Sequence, residues 1–437
     1  MLRSLFRLSA ALLALSLTAC DDAPRFTKAE PGEARAGGAA TVNKRDQNAF
    51  SLPSANLSPT RRLDFSVGNS FFRSPWVIAP STTTARDGLG PLFNTNACQN
   101  CHIKDGRGHP PLPDSPNAVS MLVRLSIPDA APYAKLIEQV GVVPEPVYGG
   151  QLQDMAVPGV TPEGKVRVDY TPVNVTFKDG TVVELRKPDL QITQLGYGPM
   201  HPDTRFSARI APPMIGLGLL EAISDADILR NTDPKTADKA AIVGRANWVW
   251  DDAQQKTVLG RFGWKAGQPN LNQQNVHAFS GDMGLTTTLR PFDDCTDAQV
   301  ACKQAPNGNG PDGEPETGCQ GCHTPAFTTA ANAAEPELAN QVIRPYSDLL
   351  LHDMGDGLAD NRSEFKAGGR DWRTPPLWGI GLTQTVSGHT QFLHDGRARN
   401  LLEAVLWHGG EAQAAQQQVL SFNAEQRAAL LAFLNSL

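Results

Sequence analysis

Two pentapeptides carry the strongest chemical signal in this sequence, Cys98-Gln99-Asn100-Cys101-His102 and Cys319-Gln320-Gly321-Cys322-His323. Both fit C-x-x-C-H, in which two thiols add across the vinyl groups of a haem and the adjacent imidazole is held under the iron. A lone C-x-x-C could also be a redox dithiol or half of a zinc site. Two copies, each followed directly by His and without further thiols at finger-like spacing, point to two covalently attached c-type haems. His102 and His323 are then the proximal iron ligands. The opposite face of each iron decides its use: a second strong ligand makes an electron carrier, an open face a place for chemistry. The remaining donors are His109, His201, His277, His352, His389, His394 and His408, with Met200, Met214, Met283 and Met354.

The N-terminus sets the compartment. Arg3 and Arg7 give a positive start before an apolar run from Leu8 to Leu17 that is too short to span a bilayer. It ends in Leu17-Thr18-Ala19-Cys20, which resembles a lipoprotein lipobox. That resemblance implies a signal peptide over residues 1–19, cleavage before Cys20 and lipid on its thiol. The expected location is the periplasm, anchored to the inner or outer membrane; Asp21-Asp22 resembles an inner-membrane retention signal. An ordinary signal peptide with an accidental cysteine is the alternative. Cys295 and Cys302 then remain, in a polar stretch, and in an oxidising compartment they read as a local disulfide. Two free, redox-active thiols are the other reading.

The elements that must position these groups are loop-rich. Gly and Pro together make 73 of the 437 residues (39 and 34), and a net charge of −6 with no basic cluster gives no reason to expect nucleic acid. Residues 20–60 read as a tether. Val173, Val175 and Phe177 alternate before Asp179-Gly180, with Val183 and Leu185 after it, which predicts a β-hairpin; Val166, Val168 and Tyr170 predict another strand. Helical character returns over Pro213–Leu229. Asn423-x-x-Gln426 predicts a capping box for a closing helix with Leu430, Leu434 and Leu437 on one face. Phe262-Gly263-Trp264-Lys265-Ala266 with Leu271 echoes Phe392-Leu393-His394-Asp395-Gly396-Arg397-Ala398 with Leu401, as two diverged copies of one unit would. The expected fold is mainly α: two cytochrome c-like haem domains, 61–290 and 291–437, with a β-rich insertion at about 120–200. Asp233–Gly244 has a calcium-loop outline but too few oxygen ligands, so no calcium is expected.

Over roughly residues 60 to 435 the sequence resembles the di-haem oxidoreductase (peroxidase or thiol oxidoreductase) family, within the bacterial di-haem cytochrome c peroxidase superfamily. The segments that carry the resemblance are Gly88–Phe93, Ala211–Ala222, Gly244–Trp250, Gly260–Ala266, Gly281–Gly284, Leu351–Gly355, Trp372–Leu382 and Phe392–Glu411. The resemblance implies that His408, closing the run Leu401–His408, is the distal ligand of the C-terminal haem, with Met354 as second candidate. It also implies catalytic roles for Trp264 between the haems and for Gln274 and Asp282 over the open one. Trp264 is one residue out of register, and Asp282 stands where the pattern has Glu. His277, one residue from the repeat position matching His408, is a candidate distal ligand of the first haem, and His109 a weaker one. His394 and Arg397 are expected at haem propionates, since Arg pairs with carboxylates bidentately. The implied activity is reduction of a small oxidant such as hydrogen peroxide, with electrons from a small cytochrome c or cupredoxin passing through the C-terminal haem. A non-catalytic electron relay, and oxidation of an organic or thiol substrate, are the alternatives. The membrane is expected as a partner only through the lipid anchor.

Overall fold

The computed structural model describes residues 32–83, 86–113, 115, 117–233, 243–307 and 336–437. Cys20 with the signal-peptide region, Cys319-Cys322-His323, and most of the Asp233–Gly244 loop lie outside the described residues. In chain order the strands are β1 (Leu92–Phe93), β2 (Met121–Ser126), β3 (Gln151–Leu152), β4 (Met155–Ala156), β5 (Lys165–Thr176), β6 (Val182–Thr193), β7 (Arg205–Ile210), β8 (Trp248–Asp251), β9 (Lys256–Leu259), β10 (Leu351–Asp353) and β11 (Asp371–Arg373). All pair antiparallel. β2 lies between β3 and β7, and β1–β4, β5–β6, β8–β9 and β10–β11 are two-stranded.

The Asp179-Gly180 signal becomes a long hairpin. β5 and β6 pair from Lys165↔Thr193 to Thr176↔Val182. Gly180 takes φ +85°, which a residue with a Cβ adopts only at a steric cost, and Asp179 Oδ1 accepts from Thr181 N at 3.0 Å. Val173, Val175, Val183 and Leu185 pack into the largest apolar cluster among the described residues, alongside Leu430 and Leu434 of the closing helix Ala424–Ser436 and Leu437 at its C-cap. That helix opens with the capping box between Asn423 and Gln426. Period-2 alternation sets the two faces of β2: Met121, Val123 and Leu125 are buried in apolar clusters, while Leu122 and Arg124 line a cavity.

The mainly α expectation does not hold. Helices take 29% of the residues and strands 19%. Among the described residues only Pro59–Arg73, Leu271–Met283 and Ala424–Ser436 exceed ten residues. Gly and Pro at this density break helices early, and residues 121–210 hold six strands, β2–β7, with one α-helix, Ala134–Val140. Gly32–Leu437 forms one compact unit. Its main cluster joins Met121 and Ile210 of the three-stranded sheet to Trp264, Trp372, Phe392 and Leu401. Among the described residues no helix is long and apolar enough to cross a membrane.

A close backbone approach joins the segment before Cys98 to the end of the Leu271–Met283 helix. Gly90 N donates to Met283 O at 2.9 Å, and a Cβ on Gly90 would meet Gly284 O at 2.3 Å. Gly284 itself closes the helix at φ +65°. Gly90→Ala should therefore destabilise the protein by about 1–3 kcal/mol, the range for overpacking. A denaturant midpoint equal to wild type would show that the two backbones do not meet there.

Candidate functional site

Cys98 and Cys101 stand at the two ends of a one-turn helix, Cys98–Cys101, which places both thiols beside the His that follows. His102 N donates to Cys98 O at 3.0 Å, and neither thiol is in a disulfide. The His102 ring is fixed by a 2.7 Å contact between Nδ1 and Pro212 O. A carbonyl only accepts, so Nδ1 carries the hydrogen and Nε2 keeps its lone pair. Burial lowers the imidazole to a pKa of about 4, despite the opposing pull of Pro212 O. It is neutral at physiological pH, the form that ligates iron.

His102 and Cys101 open onto a cavity of about 450 Å³. The helix Leu271–Met283 supplies one wall: Gln274, Ala278 and Asp282 recur every four residues and all line the cavity. Trp264 and His277 line it too, so the structure brings His102, Trp264, Gln274, His277 and Asp282 to one space. Gln274 and Asp282 are two turns apart, roughly 12 Å along the axis, and do not form a contacting pair.

The amide that touches Asp282 is Gln151, at the start of β3. Its Nε2 donates to Asp282 Oδ1 at 3.0 Å, to Gly281 O at 2.9 Å and to Asn94 Oδ1 at 2.8 Å. Asp282 O in turn accepts from Asn94 N at 2.8 Å and Thr95 N at 3.1 Å, four and three residues before Cys98. Burial pushes the Asp282 carboxyl above the usual range, against Arg124 and the Gln151 bond, which pull it down; Asp294 adds to the rise. Nothing in the spacing of Gly149-Gly150-Gln151 announces this role, because the contact spans 131 residues.

His277 is engaged at both ring nitrogens, by Gln268 Nε2 at 2.9 Å and Asp252 Oδ2 at 3.0 Å, and Arg290 also reaches it. His109 Nδ1 contacts Pro110 O at 2.7 Å, and its ring meets His389 edge-on at 5.4 Å. Trp264 donates Nε1 to Ile210 O at 2.9 Å. Behind it, His394 lies 6.5 Å away and stacks on Trp372 at 3.7 Å. Arg397 is bound to Asp395 at 2.8 Å and lies over the Trp407 ring.

His408 repeats the His102 arrangement: Nδ1 contacts Ala404 O at 2.7 Å, which leaves Nε2 with the lone pair, and burial lowers the ring's pKa. Its turn rests on the Met354 segment, where a Cβ on Gly409 would lie 3.1 Å from Met354 O. Three residues on, Glu411 holds His352 Nδ1 at 3.0 Å and Arg245 at 2.6 Å. The two rival ligand candidates, His408 and Met354, thus lie on touching segments. Cys295 and Cys302 are joined as a disulfide.

A haem fits the residues around His102 on two counts. Nε2 of a neutral, oriented imidazole is available beside two thiols, and two guanidiniums on the cavity, Arg107 and Arg373, have side-chain hydrogen bonds to backbone carbonyls alone among the described residues. Arg107 is 7% exposed, has Nε without a partner among the described residues, and donates only to Leu393 O at 3.0 Å. Burial lowers it to a pKa of about 10. Arg373 donates to the carbonyls of Gly263 and Thr374 and is likewise lowered by burial to about 10. Haem propionates are the anions such a pair would hold. Among the described residues no three His, Cys, Asp or Glu side chains form a bare-metal site.

A family model described as "Di-haem oxidoreductase, putative peroxidase" matches residues 32–306 and 297–437. No curated protein and no solved structure gives a significant match.

If Arg107 waits for a haem carboxylate, its charge should harm the haem-free chain and help the loaded one. Arg107→Met should melt no lower than wild type in haem-free protein and be less stable by about 1–3 kcal/mol in haem-loaded protein. Calorimetry of both forms checks this; equal losses in the two would remove Arg107 from the haem site.

Proposed function

This chain belongs to the di-haem oxidoreductase family, and we propose that it is a periplasmic, lipid-anchored member of peroxidase type. One haem would be attached at Cys98 and Cys101 with His102 as ligand, the other at Cys319 and Cys322 with His323 and His408. The observation that carries this reading is the meeting of His102, Trp264 and Asp282 on one cavity. The haems would supply the redox chemistry, taking electrons from a small cytochrome c or cupredoxin through the C-terminal site, so that hydrogen peroxide gains two electrons and two protons and leaves as two waters.

The chain's own residues orient the reactants and move protons. Pro212 O fixes the His102 ring and strengthens its Nε2 as a donor. Asp282, partly accessible from the cavity and with a raised pKa, would take the proton from one peroxide oxygen and return it to the other. Arg107 and Arg373 would hold propionates, and Trp264 stands between the cavity and the His394–Trp372 stack. The relay reading requires a second strong ligand at the first haem; both nitrogens of His277 are committed elsewhere, and His109 is not among the residues lining the His102 cavity.

In the holoprotein, oxidised and half-reduced EPR and absorption spectra should contain one high-spin haem that responds to hydrogen peroxide. Two low-spin haems in both states, inert to peroxide, would defeat the proposal. Asp282→Asn should lower peroxide turnover by about 10²–10⁴-fold, the usual worth of a positioned proton-transfer group. Because the carboxylate form is the one that accepts a proton, wild-type turnover should fall as pH drops through a midpoint above the ordinary Asp range; a flat acid limb would remove Asp282 from that role. Cys20→Ala should move the protein from the membrane to the soluble fraction, and continued membrane retention would refute the anchor.

A further inference from the structure

Gln151 is 2% exposed, yet only half of its amide is satisfied. Three oxygens surround Nε2: Asn94 Oδ1, Gly281 O and Asp282 Oδ1. They fix which end is nitrogen, since a flipped amide would set oxygen against oxygens. Oε1 is therefore an acceptor by necessity, and it has no hydrogen-bond partner among the described residues. A buried acceptor left without a donor is rare and calls for a specific explanation. Gln151, Asp282 and Gly281 all line the cavity that His102 opens onto. The glycine keeps this corner open: a Cβ on Gly281 would lie 3.8 Å from Gln151 Oε1. What the corner lacks is a small hydroxylic donor beside a carboxylate.

Resting on the peroxidase-type reading, we propose that Gln151 is the amide that binds the oxygen substrate: Oε1 accepts from a peroxide O–H while Nε2 holds Asp282 in place to exchange protons with it. The insertion strand β3 thus contributes directly to the site, and the amide on the helix itself, Gln274, lies two turns from Asp282. Gln151 is itself anchored from the haem-attachment side. Asn94 Nδ2 donates to Leu152 O at 2.9 Å while Asn94 Oδ1 accepts from Gln151. The charged and titratable groups that act on Asp282 are Arg124 of β2 and Asp294 of the disulfide loop, and Asp282 itself acts on the Cys101 thiol. Arg124, Arg290 and His277 act in turn on Asp294.

The test uses holoprotein of wild type, Gln151→Leu, Gln151→Glu and Asp282→Asn, with hydrogen peroxide as substrate and infrared titration of the Asp282 carboxyl stretch, assigned by its loss in Asp282→Asn. Gln151→Leu removes both halves of the amide. It should lose at least about tenfold in kcat/KM, mostly through KM, as expected for one hydrogen bond to substrate. It should also move the carboxyl midpoint to higher pH, because the bond that favours the carboxylate is gone. Gln151→Glu keeps an acceptor oxygen but not the amide donor, so its midpoint should also rise while its KM stays closer to wild type. Wild-type KM in Gln151→Leu, or equal KM losses in the two variants, would overturn the substrate contact. Should Gln151→Leu not fold, Gln151→Glu decides by its midpoint, and an unmoved one overturns the proposal. A wild-type holoprotein inert to peroxide would defeat the peroxidase reading and the substrate contact together. The infrared midpoint in Gln151→Leu would then judge the hold on Asp282 alone, and no shift would overturn that half too.

Discussion

The backbone carbonyl of Asp282 is where the site is held together. It accepts from Asn94 N and Thr95 N just ahead of Cys98, so the end of one helix and the start of the C-x-x-C-H turn are fixed to each other by main chain. Gly90 and Gly284 make this approach possible by having no side chains. Once that joint is formed, the Asp282 side chain and the His102 ring face one cavity without further adjustment. β3 then needs only to deliver Gln151 against the same joint. Backbone hydrogen bonds in a buried setting make a stiff reference frame, and proton transfer requires one.

A second constraint is electrostatic. The neighbourhood of the cavity holds many buried charges, and the structure treats them in two ways. Glu364 is pushed up by burial yet held down to about 2 by Arg209, Arg362 and Arg124, with Arg209 at 2.8 Å and Arg362 at 3.0 Å. Lys265, lowered by burial to about 8, is bound to Asp360 and to the carbonyls of Gly368 and Asp371, above the Trp372 ring. These groups are internally neutralised. Arg107 and Arg373 are satisfied only by carbonyls, and both line the cavity. The contrast between cations bonded to carboxylates and cations bonded only to carbonyls marks where an anionic guest would belong.

Local chemistry was legible in the sequence, and long-range partnership was not. The Asp179-Gly180 hairpin and the Asn423/Gln426 capping box depend on neighbours a few residues away, and both were readable from spacing alone. Gln274 and Asp282 were singled out by the family resemblance, and only the helix Leu271–Met283 shows that they share a face. The pairing of Asp282 with Gln151 depends on a sheet edge brought from 131 residues away, and no periodicity encodes it. The balance of helix and strand was misjudged because two haem motifs imply cytochrome c-like helical domains, while Gly and Pro stop most helices here within two turns. The His277 and Arg397 side chains are occupied by Asp252 and Asp395, partners that residue type alone does not reveal.

The docking of the hairpin tip affects how the chain can be made. Phe177 and Asp179 meet Arg427, the latter across 248 residues, and Lys178 N meets Leu420 O. A chain is made N-terminus first, so Val173, Val175, Val183 and Leu185 stay uncovered until the last helix arrives. Contacts this distant slow folding and prolong the exposure of apolar strands. The Cys98 thiol becomes available long before that, in a chain that has yet to find its core. The C-terminal helix, made last, is the latch that closes the cluster.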